Sequence, residues 1–429
     1  MTQLIDKEID QNESSETTNH GAVVGLKCKE CGAAYPAVAL HVCEDCFGPL
    51  EVAYDYSTLD ARKLKNQIET GPRSLWRYAS LLPAPAYTRS LEGVGFTPLQ
   101  RAYNLGERLG LNELYIKNDA VNPSHSFKDR PVAVAVAKAV ELGFDTIACA
   151  STGNLAGAVA AAGARAGLKT YVFVPANIEP GKITAASVYG AEIVPVNGTY
   201  DEVNRLASQV ADEYGWAFTN INMRPYYSEG SKTLAYETAE QLGWRLPDHV
   251  VIPIASGSLY TKIAKGFEEL IKLRLVQDET LPAISGAQPD GCGPVATAFA
   301  GGFTEIQPVK QPNTIAHSLA IGSPADGYYS LQVAQRTGGI IEQVTDAEIL
   351  EAIKLLAATE GIFTEPAGGV TLATLRKLAQ AGKIGRDEVT VLYVTGNGLK
   401  TQNVVEGLFP ISEPVAPKLG QFEKWLESR

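Results

Sequence analysis

A lysine set among small polar residues just ahead of a helix is placed to form an imine with a carbonyl compound. Lys128 is such a residue: the loop after ELYIK reads NDAVNPSHSFKDRP, and a helix is expected from near Pro131. An amine does this chemistry when its surroundings lower its pKa; taken singly, a loop lysine is more often a solvated charge. Three other loops are unusual. After TIACA, Ser151, Thr152, Gly153 and Asn154 stand at a helix start. Their hydroxyls, amide and free N–H groups suit a carboxylate, or equally an ordinary N-cap. After HVVIPI, Ala255, Ser256, Gly257, Ser258 and Leu259 could wrap a phosphate or simply cap the next helix. That loop lacks both the Gly-Lys-Ser/Thr ending of a Walker loop and the G-x-G-x-x-G of a dinucleotide site. After VTVLYV, Thr395-Gly396-Asn397-Gly398 reads as a polar wall that a ligand can approach, or as a glycine-rich turn.

Each signal is weak alone. Together they describe an imine-forming lysine, a carboxylate loop, a phosphate loop and a polar end wall. That set suits pyridoxal phosphate, which acts as an electron sink while the protein anchors it and moves protons.

A second chemistry lies near the N-terminus. Cys28 and Cys31, then Cys43 and Cys46, form two C-x-x-C knuckles. Four thiolates at that spacing can hold one tetrahedral zinc. A structural zinc ribbon, a ribbon that folds without metal and a redox pair all remain open. Cys149 and Cys292 stand apart and read as ordinary small residues.

The elements that must carry these loops follow from the pattern. Short apolar runs (ELYIK, TIACA, TYVFV, AEIVPV, HVVIPIA, VTVLYVT) alternate with Ala-rich helical stretches from about Gly93 onward. That alternation is the mark of βαβ units and of parallel sheets wrapped by helices, an α/β fold. Ligands then sit beyond the C-terminal strand ends, where all four loops lie. The expected divisions are a disordered acidic tail (1–20), a Cys-rich zinc-ribbon-like segment (21–55), a connecting segment and start of a large domain (56–129), a small mobile domain (130–225) and a large cofactor-binding domain (226–429).

Charge and composition narrow the class further. With 37 basic against 48 acidic residues the chain carries −11, a poor match for nucleic acid. No apolar run approaches the ~20 residues that span a bilayer. The first twenty residues hold five acids and one lysine, unlike a signal peptide, so a cytoplasmic protein is expected.

P-S-H-S-F-K-D-R around Lys128, A-S-T-G-N around Asn154 and T-P-L at Thr97–Leu99 resemble the fold type II pyridoxal phosphate enzymes. Within them, S-F-K-D-R, E-G-S-K-T at 229–233, Glu365-Pro366-Ala367 and the T-G-N-G turn look most like the threonine synthases, over Gly93 to Leu408. The resemblance implies a two-domain, tryptophan synthase β-like fold with parallel sheets, and a Cys-rich leader that some members carry. It implies that Lys128 bonds the cofactor and shuttles protons, and that Asn154 meets its 3′ oxygen. Ala255 to Leu259 would cradle its phosphate, and Thr395 would face its ring nitrogen. Ser151 and Thr152 would take the substrate carboxylate, with Lys117 and Arg224 for the substrate phosphate. The implied reaction converts O-phospho-L-homoserine and water to L-threonine and phosphate, in a homodimer by family habit. Two departures stand out: the phosphate loop is A-S-G-S-L where the family often has G-N-x-G-N, and His125 replaces a frequent Gly. The alternatives are a serine/threonine dehydratase-like enzyme, which needs no cation for a substrate phosphate, a cysteate synthase-like enzyme, and a binding protein that has lost catalysis.

Overall fold

Three strands open the chain: β1 (Val23–Cys28), β2 (Ala34–Tyr35) and β3 (Leu50–Tyr54), an antiparallel sheet ordered β2-β1-β3. The computed structural model describes residues 21–86, 92–176, 180–409 and 413–428; the tail expected at 1–20 lies outside them. At one end of this ribbon the four knuckle thiols converge. Cys28 and Cys46 Sγ are 3.5 Å apart, Cys31 and Cys43 3.6 Å, and all four lie within 4.8 Å of one another. Zinc–sulfur bonds of about 2.3 Å give a tetrahedron with edges of about 3.8 Å, so the four sulfurs are spaced for one zinc. The Glu30 amide donates to Cys28 Sγ, and the Tyr35 hydroxyl lies 3.1 Å from Cys43 Sγ.

The larger sheet begins with β4 (Leu99–Arg101) and β5 (Leu114–Asn118). The chain then leaves to build a smaller parallel sheet of β6 (Thr146–Ala150), β7 (Lys169–Pro175), β8 (Glu192–Val196) and β9 (Ala217–Phe218), ordered β8-β7-β6-β9. It returns with β10 (His249–Pro253), β11 (Ala283–Pro289), β12 (Ile341–Val344) and β13 (Thr390–Val394). The large sheet runs β12-β11-β10-β13-β5-β4, parallel throughout except for β4, which pairs antiparallel with β5. TIACA, HVVIP and TVLYV are buried at every residue, as strands covered by helices on both faces must be. Among the described residues no helix is long and apolar enough to cross a membrane.

The ribbon is tied to the large sheet's helices by buried charge. Glu229 accepts from Lys232 (2.8 Å), Lys262 (2.6 Å), Lys265 (2.9 Å) and the ribbon's Tyr54 hydroxyl (2.8 Å). Lys232 also reaches Glu269 (3.0 Å), which accepts from the Tyr56 and Tyr236 hydroxyls. Tyr226 donates to the ribbon carbonyl of Val38 (2.8 Å). Burial pushes the Glu229 carboxyl up, but the three lysines outweigh it and hold it ionised.

Candidate active site

The four loops follow the C-terminal ends of strands, β5 before Lys128, β10 before Ala255 and β13 before Thr395 in the large sheet and β6 before Ser151 in the small one. They surround a cavity of about 460 Å³. Lys128, Ser151, Thr152, Asn154, Arg224, Ala255 to Leu259 and Thr395 all line it.

Lys128 sits at the N-cap of the helix Asp129–Glu141, one position before it begins. Its loop is fixed from the T-G-N-G side, where the Phe127 amide donates to Thr395 O (2.9 Å) and Ser126 bridges Gly396. His125, in the place of the family's frequent Gly, keeps the left-handed backbone (φ 63°) that Gly favours. Its amide donates to Asn122 O (2.7 Å) and its carbonyl accepts from Asn397 N (3.1 Å), which holds that conformation. The Lys128 amine makes one hydrogen bond among the described residues, 2.8 Å to the Tyr227 hydroxyl.

The phosphate loop fits its expected ligand. Ser256 and Ser258 put hydroxyls at the cavity, and the helix Ser258–Lys272 leaves its first-turn N–H groups without partners inside the helix. Gly257 has φ 94°, and a Cβ there would sit 2.7 Å from Asp326 O, so the tight turn needs glycine. Serine hydroxyls thus stand where the family's loop often has asparagine.

On the facing wall, Ser151 Oγ accepts from the Gly153 amide (3.3 Å), and the helix Asn154–Ala166 points its N-terminus at the cavity. The Asn154 amide donates to Glu365 (2.9 Å). Glu365 is fully buried against the cavity, and burial raises its pKa although Asn154 opposes this. Gly396 makes room for it, since a Cβ there would fall 2.3–2.7 Å from its carboxyl group. Arg224 completes the wall and pairs with Asp326 (2.9 Å); its side chain is 33% exposed, open to an incoming anion.

Lys117 needs correction. It does not face the cavity: its side chain is fully buried on β5, and its ammonium donates to Thr97 O (2.6 Å), Glu237 (2.7 Å) and Gln241 (2.9 Å). All three donors of the ammonium are used, leaving none for a substrate. It belongs to a buried charge cluster with Arg130, Asp119 and Glu237. Cavity residues not assigned from sequence include Tyr227 and Glu365, although Glu365 stands in the E-P-A triplet and Tyr227 lies one helical turn beyond Arg224, and also Asn220 and the segment from His317 to Ile321.

Residues 91–396 match the family described as pyridoxal-phosphate dependent enzyme. A threonine synthase of Methanosarcina acetivorans is 40% identical over 385 residues, 89% of this chain and 93% of the relative. One from Methanocaldococcus jannaschii is 40% identical over 87% of this chain and 92% of its own length. Among solved structures, the processed form of threonine deaminase isoform 2 from Solanum lycopersicum superposes with a TM-score of 0.63. It covers 78% of this chain and 95% of its own at 24% identity, a likeness of fold.

Proposed function

Because the chain belongs to the threonine synthases of the pyridoxal phosphate-dependent enzyme family, we propose that it converts O-phospho-L-homoserine and water to L-threonine and phosphate. The observation that carries this reading is the place of Arg224, on the wall of a cavity that two helix starts also face. In this reading the start at Ser258 serves the cofactor phosphate and the start at Asn154 an amino-acid carboxylate. Arg224 is a further cation on the same cavity with neither task. A dehydratase acting on an unphosphorylated amino acid has no use for it; a substrate with a phosphate dianion does.

When bound, pyridoxal phosphate supplies an electron sink for the carbanion that forms beside the substrate's amino group. The protein's residues do the rest. Lys128 would carry the cofactor, and its amine would hold the proton taken from the substrate's α carbon. Asn154 would meet the cofactor's 3′ oxygen, Ser256, Ser258 and the helix start would hold its phosphate, and Thr395 would offer a hydroxyl to the ring nitrogen. Ser151 and Thr152 hold the substrate carboxylate, and Arg224 steadies the phosphate until it leaves.

The deciding experiment gives the purified yellow protein O-phospho-L-homoserine and follows phosphate release and threonine formation. Both products appearing together is the expected result, with Arg224→Ala raising KM and leaving the visible absorbance intact. Absence of phosphate release from a yellow protein sinks this reaction.

The four-cysteine cluster is proposed to hold structural zinc through Cys28, Cys31, Cys43 and Cys46. Metal analysis should find one zinc per chain. A strong chelator should lower the melting temperature by roughly 5–10 °C. A zinc-free chain with an unchanged melting curve counts against the metal.

A further inference from the structure

We propose that Tyr227 is a positioning residue for Lys128, holding its free amine in place for proton transfer through one hydrogen bond. This rests on the reading of Lys128 given above and adds a residue to it. The Tyr227 hydroxyl lies 2.8 Å from Lys128 Nζ, and both side chains line the cavity.

A lysine amine on a four-carbon stem is a mobile base, and freedom of about 1 Å at the reacting atom lowers a rate by roughly 10²-fold. A partner must therefore fix the amine without fixing its charge. A carboxylate would stabilise the ammonium and keep the proton on it. The nearby carboxyl, Glu365, is instead engaged by Asn154. A phenol suits both states, because its oxygen accepts from an ammonium and its O–H donates to a neutral amine.

Tyr227 is itself well held. It lies on the helix Arg224–Glu229, is 8% exposed, and is flanked by anchors on both sides. Tyr226 bonds Val38 of the ribbon, and Glu229 enters the buried lysine cluster. Side chains fixed by such supporting contacts place a reactive group to within a fraction of an ångström. Arg224 precedes Tyr227 by one helical turn, so the cation for the substrate phosphate and the partner of the amine share one helix face.

The test compares Tyr227→Phe, which keeps the ring and removes the oxygen, with Tyr226→Phe, which removes a neighbouring hydroxyl that bonds only the ribbon. Full-length protein stripped of cofactor is mixed with pyridoxal phosphate, and growth of visible absorbance is timed; turnover follows on the loaded proteins. Tyr227→Phe is expected to capture cofactor about 10-fold more slowly and to lose roughly 10–100-fold in kcat with KM within about 3-fold. Tyr226→Phe should keep both rates within about twofold of the parent's, because the three lysine contacts of Glu229 still anchor the helix. Equal losses in the two variants would assign the effect to helix packing and overturn the proposal, as would capture and kcat within twofold of the parent in Tyr227→Phe. Cofactor capture needs no substrate, so it judges Tyr227 even if O-phospho-L-homoserine proves inert.

Discussion

Lys128→Ala is expected to abolish the visible absorbance of the purified protein and to reduce phosphate release by roughly 10³-fold or more. The size follows from what is left. Arg224, the cavity's other long cationic side chain, carries a guanidinium rather than an amine and is paired with Asp326. Among the described residues lining the cavity, no other amine is present to take over the bond to the cofactor or the proton from the substrate. The fold should tolerate the change, because the amine makes one hydrogen bond, to a neutral hydroxyl, and no ion pair among the described residues. Absorbance, phosphate release and melting temperature measured on one preparation separate these effects. Retained turnover would remove Lys128 from the mechanism; a collapsed melting curve would make it a structural residue.

Arg130→Met is expected to have the largest effect on stability, about 3–5 kcal/mol. Arg130 is fully buried and donates to Asp119 (2.7 and 2.8 Å), Glu237 (2.7 Å), Thr97 (3.1 Å) and Thr233 (2.9 Å). Replacing it with an apolar chain of similar length fills the space and strands two carboxylates with Lys117 as their remaining cation. A pH dependence goes with this. Burial alone pushes the Glu237 carboxyl up, but Arg130 and Lys117 together bring it down to about 2. A depressed carboxylate pKa contributes stability above its unfolded value near 4.3, and that contribution is lost as pH falls towards 2. Denaturant midpoints of the parent should therefore drop between pH 5 and 2, and those of Glu237→Gln should drop less over the same range. Parallel pH profiles would sink the assignment.

The part of the cavity built from loops after apolar strands was legible, because side chains that pack no core stand out there. Ser151, Asn154, Ser256, Gly257 and Thr395 each interrupt a hydrophobic run with small or polar groups. Lys117 was misread for the opposite reason. It lies inside a strand, and its partner Glu237 comes 120 residues later on a helix, so nothing local reveals that the charge is buried and neutralised. Tyr227 was invisible because a tyrosine beside another tyrosine reads as core until the fold turns one hydroxyl to the ribbon and the other to the amine. Strand β11, AISGAQP, escaped notice because Ser, Gly, Gln and Pro give it little strand propensity. Its burial is imposed by neighbours on both sides, β10 and β12.

The docking of the ribbon onto Glu229 and Glu269 has a consequence in time. Tyr54 precedes Glu229 by 175 residues and Tyr56 precedes Glu269 by 213. At 5–20 residues per second the ribbon leaves the ribosome roughly 10–40 s before its seat has been synthesised. Through that interval its tyrosines have no dock, and a zinc on the four thiols would be a local clamp on its three short strands beside the β1–β3 ladder. Metal supply during translation, rather than after it, would then set how much of the chain reaches the folded enzyme.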